Sequence, residues 1–154
     1  MRLYFSKLDS RATIPKYATA KSSGFDFHAL EDITIQAGET KLVKTGLACV
    51  LPANTELQVR PRSGCSLKTS LRIANSPGTV DEDYLEQDIG IICWNPSEKP
   101  LTIKAGDKIA QGVIAPVLRP TVIEANEEFF GFLSKSRKTD RTGGFGSTDT
   151  KDNE

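Results

Sequence analysis

The sequence is poor in the residues that build metal sites, disulfide frameworks and membrane spans. It holds one histidine, His28, and three cysteines, Cys49, Cys65 and Cys93. A histidine-rich metal site within one chain is thereby excluded, and so is a Ser–His mechanism that does not use His28. Three cysteines are odd in number and far apart, which argues against a disulfide framework and against a Cys-x-x-Cys metal clip. They read as small buried hydrophobes, because no neighbouring histidine or helix N-terminus is evident to lower a thiol pKa. No apolar run approaches the ~20 residues of a membrane span. Residues 1–15 lack the apolar stretch of a secretory signal. Charge of one sign is also missing: Lys+Arg and Asp+Glu both total 20. No net field draws the chain to nucleic acid or an anionic membrane, so any bound anion must meet a local patch. A soluble, cytoplasmic, single-domain protein of 154 residues is the expectation.

Long helical stripes and internal repeats are absent too. Glycine and proline, 12 and 8 in number, cut the chain into short pieces. Between the cuts lie alternating or β-branched runs: Ile33–Ile35, Thr40–Leu51, Glu56–Arg60, Ile89–Trp94, Leu101–Ile103 and Lys108–Leu118. In Glu56–Arg60 the apolar residues fall at every second position, the period of a half-buried strand. Ala37-Gly38-Glu39 and Ala105-Gly106-Asp107 read as tight turns. Short helices are expected at Ser66–Leu71 and Glu124–Phe130. Trp94, ending an apolar strand, reads as core, and His28 as a surface or edge-strand residue. This spacing of short strands predicts an all-β sandwich, jelly roll or small barrel.

Four segments carry chemistry. Pro61-Arg62-Ser63-Gly64 follows a strand, where proline ends the ladder and leaves an Arg fork beside Ser and Gly donors. That set suits a phosphate chain, although an ordinary glycine turn with a solvated Arg fits as well. Gly78-Thr79-Val80-Asp81-Glu82-Asp83-Tyr84 reads as a hairpin whose tight turn brings Tyr84 near Asp81. A carboxylate beside phosphate donors can take a proton from water, and a merely solvated acidic turn is the other reading. In Gly106-Asp107-Lys108-Ile109-Ala110-Gln111, the Gln111 amide either donates to phosphate or pairs with backbone. From Thr139 to the end, Phe145 is the one apolar residue, framed by Gly143, Gly144 and Gly146. Such a tail is either a frayed end or a lid whose ring lies on a flat base and whose glycine N–H groups approach phosphate. Lys135, Arg137, Lys138 and Arg141 precede or enter it, against Asp140 alone.

In sequence order, Ser23-Gly24-Phe25-Asp26-Phe27, Pro61-Arg62-Ser63-Gly64, Gly78–Tyr84, Gly106–Gln111 and Gly143-Gly144-Phe145-Gly146-Ser147-Thr148 resemble the five motifs of the trimeric dUTPases, from about Ala12 to Thr148. The resemblance implies an all-β, distorted jelly-roll (β-clip) barrel over residues 1–136. It also implies a homotrimer with exchanged C-terminal arms, residues 137–154 closing over a neighbouring subunit's site. The implied reaction is hydrolysis of dUTP to dUMP and pyrophosphate, with Mg²⁺ held mainly by the triphosphate and waters. Asp81 would activate the water, and Tyr84 would pack on the deoxyribose. Asn75, with the hairpin backbone of Gly78, Thr79, Val80 and Asp81 and the strand near Gly90, would read the uracil. Arg62, Ser63 and Gly64 would grip the α and β phosphates with help from Gln111, and Asp26 would support them. Arg141, Gly146, Ser147 and Thr148 would meet the γ end, and Phe145 would stack on uracil.

Two departures from the family pattern bear on these roles. Arg141-Thr142 precedes Gly143 one residue short and without the family's first glycine, leaving Arg137 or Lys138 as substitutes at the γ-phosphate. Leu85-Glu86-Gln87-Asp88 follows Tyr84 with one residue more than the family and no glycine, so a differently shaped hairpin is expected. A dCTP deaminase-like enzyme and a nucleotide-binding regulatory relative are the alternatives. Asp81, Tyr84 and Pro61-Arg62-Ser63-Gly64 weigh against the first.

Overall fold

Residues 1–139 are described by the computed structural model, and they form eleven strands and two helices. The chain divides into two compact units, Met1–Leu118 and Arg119–Glu154. In the first unit β1 (Tyr4–Lys7) pairs with β5 (Leu47–Val50), and β3 (Ile33–Ile35) with β10 (Leu101–Ile103). A four-stranded sheet runs in the order β2 (Phe25–His28), β11 (Lys108–Pro116), β6 (Thr55–Arg60), β8 (Gly78–Val80). A three-stranded sheet runs β4 (Thr40–Val43), β9 (Ile91–Trp94), β7 (Arg72–Ile73). Every pairing is antiparallel. This is the all-β architecture that the alternation predicts.

Strand periodicity decides which side chains reach the site. In β6, Thr55, Leu57 and Val59 are buried while Glu56, Gln58 and Arg60 turn outward. In β2, Phe25 and Phe27 point in, so Asp26 and His28 share the outer face. Phe25 packs edge-on against Phe5, Phe27 and Tyr17 with ring centroids 5.5–5.6 Å apart. A bulge in β11 between Lys108 and Ala110 leaves two consecutive residues, Ile109 and Ala110, buried. Lys108 and Gln111, which strict alternation would send to opposite faces, therefore both look outward, toward Asp26.

Three local expectations need correction. The Thr40–Leu51 run breaks into β4 and β5, where Gly46 takes φ 69, a left-handed turn that a continuous strand does not allow. Trp94 is 41% exposed, because the alternation of β9 turns Ile91 and Cys93 inward and Ile92 and Trp94 outward. Cys65 is half-buried in the first turn of α1 (Ser63–Lys68) rather than a core thiol. Cys49 and Cys93 are core residues, and burial pushes their thiols up to about 11 and about 12.

Asn95, fully buried after β9, ties the barrel together. Its Nδ2 donates to the carbonyls of Ile35, Gln36 and Lys99, and its Oδ1 accepts from Ser70 and Ser97. In the second unit, α2 (Glu127–Arg137) starts where Asn126 caps the Phe129 N–H at 2.8 Å. Acids occupy its first turn and bases its last, as the helix dipole favours. No described helix is long and apolar enough to cross a membrane.

Candidate functional site

The loop from β8 to β9 builds a groove of about 280 Å³; β8 pairs with β6 and β9 with β4 and β7, so the segment crosses between two sheets instead of forming the hairpin expected from the sequence. Tyr84 donates its N–H to Asp81 O at 3.1 Å, closing the acidic turn that the sequence suggests. Asn75, Thr79, Val80, Asp81, Tyr84 and Gly90 all line this one groove, joined by Leu42, Asp88, Ile89 and Ile92. The Asp81 carboxylate stands exposed, while the Tyr84 ring is partly buried and packs on the core. Gly78 is buried against Asn75, 3.2 Å from the Asn75 amide nitrogen to where a Cβ would lie. A Cβ at Gly90 would come within 2.6 Å of Leu42, so only glycine lets the Leu42 side chain close that wall. The longer Leu85–Asp88 stretch is accommodated by Glu86, whose φ of 60 puts a side-chain-bearing residue in the left-handed region that favours glycine. Glu82 accepts the Asn54 N–H at 3.1 Å and so holds the turn from outside.

A second groove, of about 500 Å³, gathers Ser63, Ser66, Ser76 and Gln111 with Gln58, Arg60, Pro61 and Pro77. It adjoins the first, because Gln58 of one pairs in register with Thr79 of the other. Gln111 lies on β11 opposite both Asp26 and Arg60, and its Nε2 donates to Pro61 O at 2.8 Å. Its Oε1 lies 2.7 Å from where a Cβ at Gly24 would sit, so glycine at that position makes room for the amide. Gly64 has open space around it in the first turn of α1.

Arg62 turns away from that groove and lines a third, of about 420 Å³, with Cys65 and Lys108. Its Nε donates to Asp26 Oδ1 at 2.7 Å, and Lys108 Nζ pairs with Asp26 Oδ2 at 2.8 Å. Arg62 Nη1 also reaches Lys108 O at 3.4 Å, the carbonyl to which the Cys65 thiol donates at 3.0 Å. One carboxylate thus orients two cations and leaves the cluster with a net positive charge. Burial works to raise the Asp26 pKa, but the bonds from Lys108 and Arg62 outweigh it and hold the carboxyl below the usual carboxylate range. His28 sits opposite Lys108 across the bulge, with its Nδ1 buried and unpartnered. Burial, then the Lys108 charge, pushes this imidazole below its ordinary value, which favours the neutral ring.

Arg141, Phe145, Gly146, Ser147 and Thr148 lie outside the described residues. Sequence reasoning missed Leu42, Asp88, Ile92, Ser66 and Lys108. Lys108 stood within the Gly106–Gln111 segment, and its charge beside Gln111 was a usable signal. Leu42 and Ile92 carried none, since both read as ordinary apolar positions in strands.

The dUTPase family model matches residues 10–148. A deoxyuridine 5'-triphosphate nucleotidohydrolase of Gloeothece citriformis is 46% identical over 148 residues, covering 96% of this chain and 97% of that protein. Among solved structures, a mutant dUTPase of Staphylococcus bacteriophage 80alpha with dUpNHpp aligns with a TM-score of 0.78 and 21% identity, over 96% of this chain and 98% of that one. A mutant dUTPase from phage phi11 of S. aureus, described with a structural Mg(II) ion, gives a TM-score of 0.76 and 24% identity over 82% and 98% of the two chains. At these identities the two structures speak for the fold.

Proposed function

This chain belongs to the dUTPase family, and we propose that it hydrolyses dUTP to dUMP and pyrophosphate in the cytoplasm. The observation that carries the reading is the convergence of Asn75, Thr79, Asp81, Tyr84 and Gly90 on one groove, beside a second groove of Ser63 and Gln111. A nucleoside triphosphate needs this division: a narrow, partly apolar slot for base and sugar, and a wider polar channel for the phosphates.

In this reading Asp81 takes a proton from water, whose oxygen forms a bond to the α-phosphorus as the bond to the β-phosphate oxygen breaks. Pyrophosphate leaves with the electron pair. Charge builds on the phosphate oxygens, so most of the rate enhancement comes from positioning and electrostatic stabilisation. Ser63, the Gly64 N–H and Gln111 offer neutral donors, and Arg62 offers charge. Asn75 and the Thr79–Asp81 backbone distinguish uracil from cytosine by hydrogen-bond pattern, where a mismatch strands buried polar groups. The wall that Leu42 closes over Gly90 would exclude a 5-methyl group. Tyr84 lies under the deoxyribose and excludes a 2′-hydroxyl. Residues 137–154 act as an arm that closes over a neighbouring subunit in a homotrimer, bringing Arg141, Phe145, Ser147 and Thr148 to the nucleotide.

The donor set suits a Mg²⁺ that arrives on the triphosphate. Asp26 is committed to Arg62 and Lys108, and Asp88 Oδ1 to the Thr45–Gly46 backbone. The remaining hydroxyls, amides and the Asp81 carboxylate fit phosphate oxygens and metal-bound waters better than a protein cage. When bound, the ion screens phosphate charge. Pyrophosphate release from a panel of deoxy- and ribonucleotides with Mg²⁺ tests the reading. Asp81→Asn should lose most turnover and keep nucleotide affinity within a few-fold, and equal loss of both would contradict the assigned base. Light scattering should return three times the chain mass.

A further inference from the structure

Asp88 stands between the two walls of the groove built by the β8–β9 loop, and we propose that it is a positioning residue that sets discrimination between deoxyribose and ribose nucleotides. The inference rests on the reading of Tyr84 as the sugar wall. On its side chain, Asp88 Oδ1 accepts from Thr45 N at 3.2 Å, Thr45 Oγ1 at 3.2 Å and Gly46 N at 3.0 Å. Thr45 is 1% exposed, so the carboxylate is clamped to a turn set in the core. On its main chain, the Asp88 carbonyl accepts both the Tyr84 hydroxyl at 3.2 Å and the Gly90 N–H at 2.9 Å. The single Thr45 hydroxyl proton is shared between Asp88 Oδ1 and the nearer Ile89 O at 2.9 Å, and Ile89 donates its N–H to Leu47 O at 2.8 Å.

The sugar wall and the base wall thus hang from one oxygen, and the carboxylate of the same residue fixes where that oxygen lies. Tyr84 excludes a 2′-hydroxyl only if its ring cannot retreat. Retreat breaks the phenol–carbonyl bond or drags Asp88 off its anchor, and the anchor consists of charge-assisted bonds, the stronger kind.

The test compares kcat/KM for dUTP and UTP, and the affinity of dUpNHpp with that of its ribose counterpart, in wild type, Asp88→Ala, Asp88→Asn, Tyr84→Phe and Thr45→Val. Asp88→Ala removes all three bonds to Oδ1, and the consequent weakening of the one phenol–carbonyl bond predicts a fall of about 10-fold in the dUTP/UTP ratio. Asp88→Asn keeps an acceptor for the same three donors and should stay within about 2-fold. Tyr84→Phe and Thr45→Val should shift the ratio in the same direction as Asp88→Ala. A purely structural role would weaken both nucleotides equally and leave the ratio alone. A folded Asp88→Ala with an unchanged ratio overturns the proposal. If that variant does not melt cooperatively, unchanged ratios in both Tyr84→Phe and Thr45→Val overturn it. A wild type that binds neither nucleotide refutes the functional reading instead.

Discussion

Replacing Asp26 with asparagine tests the charge cluster of Asp26, Arg62 and Lys108. The Asp26 carboxylate takes Arg62 on one oxygen and Lys108 on the other, at 2.7 and 2.8 Å. An asparagine can keep one acceptor for Arg62, but its amide nitrogen then faces the Lys108 ammonium, donor against donor. The Asp26 side chain is 17% exposed and that of Arg62 28%, so this bond is shielded and worth about 1.5–3 kcal/mol as a charge-assisted contact. Lys108 is 48% exposed, which reduces its share to about 0.2–1 kcal/mol. With the Arg62 bond half retained, the expected loss is about 1–3 kcal/mol, a shift of about 1 M in urea midpoint. The loss also has a pH signature. Because the folded pKa lies below the ordinary value of about 3.9, the contribution is fully present above that value and disappears as pH falls through the lower, folded one. The wild-type advantage should therefore be constant from pH 7 to 5 and shrink as pH falls below the ordinary carboxylate range. Urea melts across that range decide it: a difference under about 0.3 kcal/mol at pH 7, or one that grows as the pH is lowered, refutes the account.

Asn95→Ala should cost about 2–4 kcal/mol, since it strands the buried carbonyl of Ile35 and part-buried partners, the carbonyls of Gln36 and Lys99 and a serine hydroxyl; a denaturant melt showing under about 1 kcal/mol would contradict the hub. Glu86→Gly should stabilise by about 0.5–1 kcal/mol, because glycine adopts the left-handed φ of 60 without a Cβ penalty. A thermal melt lowered by that change would mean that the Glu86 side chain holds the loop in some other way.

The strands were legible where alternation is strict. Leu57 and Val59 go in and Gln58 and Arg60 go out, as the period demands. Period cannot see a bulge, which is why the shared face of Lys108 and Gln111 emerges only in three dimensions. Trp94 was misplaced for a related reason: an apolar run has no intrinsic inward side, and the pairing of β9 with β4 and β7 chose one. Candidate site residues were legible as an ordered set of motifs, and six of them meet in the groove of the β8–β9 loop. What could not be read were contacts between segments far apart in sequence. Thr45 and Asp88 lie 43 positions apart, and neither carries a local signal that points to the other.

The two grooves differ in how their positions are enforced, and on the proposed reading the difference follows from what each would hold. A base and sugar are distinguished by single groups, and the slot proposed for them is fixed by main-chain bonds, a glycine that admits Leu42, and a carboxylate sunk onto a buried turn. Phosphates are recognised by charge, which acts over longer distances and tolerates looser geometry. Accordingly the cationic side is held by an ion-pair cluster, with Arg62 tethered to Asp26 instead of being buried in backbone bonds. That tether turns Arg62 away from the groove of Ser63 and Gln111 and leaves the cluster with a net positive charge. An incoming phosphate chain can then compete for Arg62 while Lys108 goes on neutralising Asp26. Lys108→Met should strip that relief, bind Arg62 more tightly to Asp26, and raise KM for the triphosphate more than it lowers kcat. An unchanged KM in a folded variant would mean that Arg62 serves the fold alone.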